Sequence, residues 1–246
     1  MAPLPRIACF HGGGSSSAIF AVQAAQLERE IHQEFELVFF DGPFLSGPGP
    51  GVLPAFDSEL YQPYRTWFKR DEKVEGWADI APDGSGFDGK IGGKDGVERV
   101  WELMKKAGGK GKGEWVAAMG FSQGTRVVGG LLLDQQRRRE KGLLKDDDIV
   151  LKFGILCMGS FAPMISAVSR DADKLDLIRI PTLHLHGTKD DNYVNGKKQL
   201  ATYYDPQTAK GLEIEYHHAM PWNRDDLLGF AKLIRQMWKG VQESGI

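Results

Sequence analysis

The chain is constrained most by Gly120-Phe121-Ser122-Gln123-Gly124, which joins an apolar run (Trp115 to Met119) to a stretch of helical character (Gln123 to about Glu140). A short apolar run entering a serine set between glycines reads as a strand that turns sharply into a helix. Side chains with a Cβ at both flanks would clash in so tight a turn, so glycine is needed there. The turn lifts the Ser122 hydroxyl above the end of a sheet, and the helix N-terminus behind it favours developing negative charge. Taken alone the pattern is weak evidence, because a chain with 31 glycines can produce such a pentapeptide by accident. Its placement decides its meaning.

At 246 residues, 41% of them hydrophobic, the chain can fill the core of one α/β domain spanning residues 1–246. A formal net charge of −2 gives no basic field to attract nucleic acid. No apolar leader precedes Arg6, and no window reaches the roughly eighteen apolar residues of a membrane span. A cytoplasmic protein with no nucleic-acid or membrane partner is expected. Cys9 and Cys157, both in apolar runs, read as small buried hydrophobes in a reduced compartment rather than as a disulfide.

In chain order, Arg6 to Phe10 is a strand running into His11-Gly12-Gly13-Gly14. Ala18 to about Gln33 has helical spacing with Ser15 to Ser17 as caps, and Phe35 to Phe40 is a second strand. A long segment rich in Gly, Pro and aromatic residues follows, about 42–93. Its aromatics predict that it packs on something, either as a lid over an apolar substrate tunnel or as an insert folded on itself. Further strands are predicted at Ile149 to Cys157, Thr182 to His186 and Leu212 to Tyr216. Helices are predicted over Lys94 to Ala107, Asn192 to Tyr204 and Asp225 to Val241. Strands alternating with helices predict a doubly wound, mostly parallel sheet of about six strands.

A serine hydroxyl is a weak nucleophile at neutral pH; it needs a base, and the base needs an orienting acid. Hydrolases with an α/β fold carry these in the order Ser, Asp or Glu, His. Ser122, then Asp190 in Gly187-Thr188-Lys189-Asp190, then His218 in His217-His218-Ala219-Met220-Pro221 follow that order. Each stands just beyond a predicted strand, where open α/β sheets hold their sites. Asp191 and His217 are adjacent alternatives. The oxyanion hole is expected from the backbone N–H groups of Gln123 and Gly13.

The chain resembles the fungal family of serine hydrolases, an α/β-hydrolase group, in five places. These are the strand into His11-Gly12-Gly13-Gly14, the Phe40-Asp41-Gly42-Pro43 turn, the Gly120 to Gly124 elbow, the Gly187 to Asp190 loop and His218-Ala219-Met220-Pro221. That family includes thioesterases that release polyketide chains from their synthases. The resemblance implies an α/β-hydrolase fold with a lid-like insert, and Ser122, Asp190 and His218 as the triad. It further implies a hydrophobic acyl substrate, held on an acyl carrier protein of a polyketide synthase. Two departures stand out: Tyr216-His217 precedes His218 where the family often has glycines, and Asp191-Asn192-Tyr193-Val194 follows Asp190 where it often has x-V-I-P. Trp67, Phe161, Met164 and Trp222 are expected to line the acyl site, and Lys69 and Arg70 could meet a carrier's phosphate. A carboxylesterase acting on small hydrophobic esters is the alternative, and a non-catalytic ligand-binding scaffold is the alternative from another class.

Competing sites are weaker. His184-x-His186 lacks the aspartate at position 188 that a metallo-hydrolase pattern requires, so it reads as a strand-lining pair. Gly84 to Ile91 resembles a phosphate loop but ends in Ile91 instead of Ser or Thr. No dinucleotide fingerprint follows the first strand. No metal or cofactor is expected.

Overall fold

The computed structural model describes residues 2–68, 96–169 and 177–244. Strand β1 (Arg6–Phe10), helix α1 (Ser17–Ile31) and strand β2 (Glu36–Phe40) open the chain, followed by a short pair, β3 (Phe44–Leu45) and β4 (Arg65–Thr66). Helix α2 (Gly96–Ala107), strand β5 (Trp115–Phe121), helix α3 (Gly124–Glu140) and strand β6 (Phe153–Cys157) come next. Strand β7 (Thr182–Gly187), helix α4 (Tyr193–Tyr203), strand β8 (Ala209–Ile214) and helix α5 (Arg224–Glu243) close it. The main sheet has six strands in the order β2-β1-β5-β6-β7-β8, every neighbouring pair parallel, which is the sheet the sequence predicts.

The two-residue period of a strand sorts the core onto both faces. Ile7 and Cys9 pack with Phe20 and Leu27 of α1 and Phe230 and Ile234 of α5. Ala8 and Phe10 point the other way, toward Val100 of α2 and Val127 and Leu131 of α3. Strands buried on both sides read as unbroken apolar runs, and Trp115–Phe121 is buried at all seven positions. The helices are fixed at their ends. Ser16 Oγ accepts from Ile19 N at the start of α1, and Asn223 accepts from Asp225 N at the start of α5. Asp225 and Asp226 then complement the positive end of the α5 dipole.

Two strand starts lie three or four residues from expectation, for separate reasons. The last strand spans Ala209–Ile214 and pairs Thr182 with Ala209 through Gly187 with Ile214, so it begins earlier than the apolar residues suggest. As the edge strand it turns Lys210, Gly211 and Glu213 to solvent, which hides its start from a hydrophobicity reading. Strand β6 begins at Phe153 rather than Ile149. Just before it, the buried carboxamide of Gln135 takes the place of a ladder: it accepts from Leu151 N (2.7 Å) and donates to Leu151 O (2.9 Å).

The described part of the insert, residues 42–68, packs on the body. Phe44 pairs with Thr66 and Leu45 with Arg65, while Arg65 also bridges Ser15 in the β1–α1 loop. Val52 and Tyr64 form a small apolar cluster with Ile19. This stretch is a folded insert seated on α1, whereas Trp77 and Phe87 lie outside the described residues, as do the phosphate-loop-like Gly84 to Ile91 and Lys69 and Arg70, the residues suggested for a carrier's phosphate. Among the described residues no helix is long and apolar enough to cross a membrane, and no cluster of three or more metal-ligating side chains occurs.

His184 and His186 line β7 with rings 6.1 Å apart, His184 edge-on to Tyr204. Burial, reinforced by each other's proximity, lowers His184 to about 3; burial, with the Lys197 charge, lowers His186 to about 4. The unfolded chain, with ordinary histidines, therefore binds more protons than the folded one between about pH 6.5 and 4. Stability is full above that window and falls as the pH drops through it, by roughly 1.4 kcal/mol per pH unit for each histidine fully engaged. Urea midpoints should be level from pH 8 to 7 and decline steeply from pH 6.5 to 5; a flat profile to pH 5 would contradict the neutral burial.

Candidate active site

Ser122 follows β5 directly, with φ of 52°. Left-handed backbone is costly for a residue with a side chain and survives where neighbours over-determine it. Both flanking glycines are required sterically. A Cβ on Gly120 would lie 2.3 Å from the Gly124 carbonyl, and one on Gly124 would lie 2.1 Å from Phe10 O. Helix α3 thus starts almost in contact with the end of β1. Thr125 ties the turn down by donating from N (3.0 Å) and Oγ1 (2.6 Å) to Ser122 O.

Closeness to β1 also sets the His11-Gly12-Gly13-Gly14 loop beside the serine. A Cβ on Gly12 would meet Ser122 Cβ at 3.3 Å, and Gly12 and Gly13 line the same cleft as Ser122. Among the described residues no hydrogen bond uses the N–H of Gly13 or of Gln123, so both donors are free for a ligand oxygen. The Gln123 side chain is occupied elsewhere. Its Oε1 accepts from Thr66 Oγ1 and Trp67 N, both at 2.9 Å, which fastens the insert to the elbow.

The residue that sequence reasoning passed over is His11. It is wholly buried. Its Nδ1–H donates to Gly12 O (2.6 Å), its Nε2 accepts from Gly42 N (2.9 Å), and its carbonyl accepts from Trp67 Nε1 (2.9 Å). One imidazole joins the oxyanion loop, the Phe40 to Pro43 turn and the insert. Burial lowers it to about 4, so it stays neutral and can accept at Nε2. The signal was present in the two motifs, but their contact is a tertiary fact.

Asp190 and His218 are brought together by two loops laced to each other. Thr188 N donates to Ile214 O (2.8 Å) and Lys189 N to Tyr216 O (2.9 Å). Asp190 Oδ2 then accepts from His218 Nδ1 at 2.6 Å, while Oδ1 accepts from Asn192 N at 2.9 Å. Burial works against the Asp190 charge, yet the bonds from His218 and Asn192 outweigh it and hold the carboxyl below its usual range. The histidine pairs with Asp190, while Asp191 sits exposed on the rim of the cleft. His217 is exposed and turned out of it. The His218 ring lies 5.0 Å from that of Phe121. Behind it, Tyr216 Oη accepts from Asn223 N (2.7 Å) and Trp222 N (3.3 Å), which braces the loop.

Ser122, Asp190, His218, Gly13 and Gln123 all line one cleft of about 500 Å³. Among the described residues no hydrogen bond joins Ser122 Oγ to His218 Nε2; ligand-free sites often tighten this bond only around substrate. Of the four residues expected to contact the acyl group, Phe161 lines the cleft. The other three do not. Trp67 is 1% exposed, committed to His11 and edge-on to Phe10. Met164, also 1% exposed, is core packed against Gly130. Trp222 is 66% exposed, its ring against Tyr216 outside the cleft. Aromatic and apolar character alone cannot separate a core from a pocket. The rest of the lining mixes apolar Pro50, Val52 and Phe121 with polar Arg126, Asn192 and Asn195.

Replacing His11 with leucine keeps the volume and strands the buried Gly42 N–H without an acceptor. His11→Leu should cost about 1–3 kcal/mol in urea unfolding and flatten part of the stability decline between pH 6.5 and 5. An unchanged midpoint would mean that the imidazole joins nothing of consequence.

The chain has relatives over nearly its whole length. A sequence profile described as "Serine hydrolase (FSH1)" matches residues 1–228. Esterase mlcF of Penicillium citrinum is 30% identical over 243 residues, spanning 99% of this chain and 94% of its own. Probable esterase tazC of Aspergillus terreus is 32% identical over 262 residues, spanning 97% and 94%. Among solved structures, Arabidopsis thaliana SOBER1 superposes with a TM-score of 0.54 at 16% identity, over 95% of this chain and 99% of that one. Zea mays acyl-protein thioesterase 2 gives 0.54 at 11%, over 96% and 95%. At such identities the structures show the α/β-hydrolase fold alone. With the profile covering nearly the whole chain, the protein is an enzyme that belongs to the FSH1 serine hydrolase family.

Proposed function

We propose that Ser122, His218 and Asp190 form the catalytic triad of an acyl hydrolase that works through an acyl-serine intermediate. The observation that carries this is the 2.6 Å bond from His218 Nδ1 to the buried Asp190, within the cleft that also presents Ser122. A donor at Nδ1 leaves the Nε2 lone pair free to take the Ser122 proton as Oγ attacks the acyl carbonyl. The carbonyl π electrons move to its oxygen, and the N–H groups of Gly13 and Gln123 stabilise the resulting oxyanion. Asp190, kept ionised, stabilises the imidazolium. His218 returns the proton to the departing alkoxide or thiolate as the carbon–heteroatom bond breaks. Water, deprotonated at the same nitrogen, then attacks the acyl-serine and frees the acid.

The substrate reading is an acyl thioester or ester with a hydrophobic, polyketide-type acyl group presented on an acyl carrier protein. Val52, Phe121 and Phe161 in the cleft wall and the likeness to the fungal thioesterases support it, and the polar groups interspersed among them suit an oxygen-bearing chain. A carboxylesterase acting on small hydrophobic esters is the second reading, which the likeness to fungal esterases favours. The same proposal places the enzyme in the cytoplasm, in keeping with two unpaired, buried cysteines.

Ser122→Ala should lower kcat on a p-nitrophenyl ester by about four orders of magnitude or more while leaving the fold intact by circular dichroism. Near-normal turnover would end the triad assignment. Matched acyl groups as an N-acetylcysteamine thioester and an ethyl ester separate the two substrate readings. A kcat/KM at least tenfold in favour of the thioester is expected, and a similar margin toward the oxygen ester establishes the carboxylesterase.

A further inference from the structure

The loop after β6 is held in an unfavourable shape beside the nucleophile. Within residues 158–161, Met158 has φ of 51° and Phe161 has φ of 64°. An aromatic residue in that region is strained and persists only when surrounding contacts dictate it. Those contacts come from two helices. Arg126 of α3 donates from Nε to Ala162 O (2.8 Å), and its carbonyl accepts from Met164 N (2.8 Å). Gln199 of α4, 1% exposed, donates from Nε2 to Phe161 O (2.7 Å) and Ser160 O (3.1 Å).

Gln199 does not line the cleft, whereas Ser160 and Phe161 do. Its Nε2 also lies 3.5 Å from Thr125 Oγ1, whose hydroxyl donates to Ser122 O at 2.6 Å. There is no slack between these groups: a Cβ on Gly159 would fall 2.5 Å from Gln199 Oε1 and 2.7 Å from Thr125 Oγ1. Helix α4 follows the Asp190 loop directly, so one buried carboxamide connects the acid's helix, the nucleophile's turn and the cleft wall.

We propose that Gln199 is a positioning residue that sets acyl selectivity, by holding the Phe161 loop in its strained conformation as one wall of the acyl site. This rests on the acyl-hydrolase reading above. The donor is what matters: both strong bonds run from Nε2 to loop carbonyls, and Gln199 Oε1 makes no hydrogen bond among the described residues. Without the donor, two carbonyls lose their partner and the loop can relax out of the left-handed region. A bulky acyl group that rests on the Phe161 ring then loses its surface, while an acetyl group, too short to use it, loses less.

The experiment compares kcat/KM for a naphthoyl and an acetyl p-nitrophenyl ester in wild type, Gln199→Met, Phe161→Ala and the double variant. Methionine keeps the length and packing of glutamine and removes the donor; Gln199→Leu gives a second reading should the methionine variant unfold. The naphthoyl-to-acetyl ratio should fall about tenfold in either single variant, within the range a lost pocket contact commands, chiefly through a higher KM for the naphthoyl ester. The double variant should fall no further, because both changes remove the same wall. An unchanged ratio in Gln199→Met, an equal loss on both esters, or additive losses in the double variant would overturn the proposal. Labelling of Ser122 by a fluorophosphonate, run on every variant, keeps the two readings apart. Wild-type protein that resists the label removes the acyl-hydrolase reading itself, whereas labelled protein with an unaltered ratio removes only the role of Gln199.

Discussion

The structure depends on one close approach of backbone to backbone, where the first residue of α3 meets the end of β1. Gly124 has no room for a Cβ against Phe10 O, and Gly120 has none against Gly124. That contact fixes the angle at which β5 turns into α3 and holds Ser122 in left-handed backbone. It also decides which loop neighbours the serine. Strand β1 lies between β2 and β5, so the chain order reverses at the β1–β5 crevice, and open α/β sheets bind ligands at such a switch point. The loop after β1 therefore brings its amides to the nucleophile as a consequence of strand order.

Histidine serves two opposite purposes within the same few ångströms of sheet end. His11 is sealed from water, neutral, and spends both nitrogens on backbone partners. His218 is partly exposed and spends only Nδ1, leaving Nε2 without a hydrogen bond among the described residues. The difference lies in their surroundings. Around His11 the partners are a carbonyl and an amide, which suit a neutral ring; around His218 the partner is a carboxylate, which suits the proposed base, a ring that would gain a proton during turnover. Asp190 can remain charged despite burial because His218 and the Asn192 N–H both donate to it.

Much of this was legible in the amino-acid order because steric and chemical demands there are local. The glycines around Ser122, the apolar run of β5 and the order Ser122, Asp190, His218 each follow from what one short segment must do. The parallel sheet follows from alternating periods. What stayed hidden depends on partners far away in sequence. The His11 bonds to Gly42 and Gly12, the Gln123 hold on Thr66 and Trp67, and the Gln135 clasp on Leu151 are long-range or side-chain-to-backbone contacts that no periodicity announces. That Trp67, Met164 and Trp222 stand outside the Ser122 cleft was hidden for a related reason: an apolar side chain looks the same in sequence whether it faces a core, a cleft or solvent. The choice of Asp190 over Asp191 needed the 2.6 Å bond to His218. The early start of β8 needed the ladder to β7.

The loops that carry the site are tied to one another more than to solvent: the acid loop to the base loop, the elbow to the insert, and the cleft wall to α3 and α4. Such mutual fastening keeps the proposed nucleophile, base and two donors in register. The most direct measurement is a crystal structure of the enzyme after reaction with an alkyl fluorophosphonate. Phosphorus should be bonded to Ser122 Oγ, with its anionic oxygen accepting from both Gly13 N and Gln123 N and His218 Nε2 within hydrogen-bond reach of the serine oxygen. An adduct at another residue, or a phosphoryl oxygen turned away from those two amides, would contradict the account.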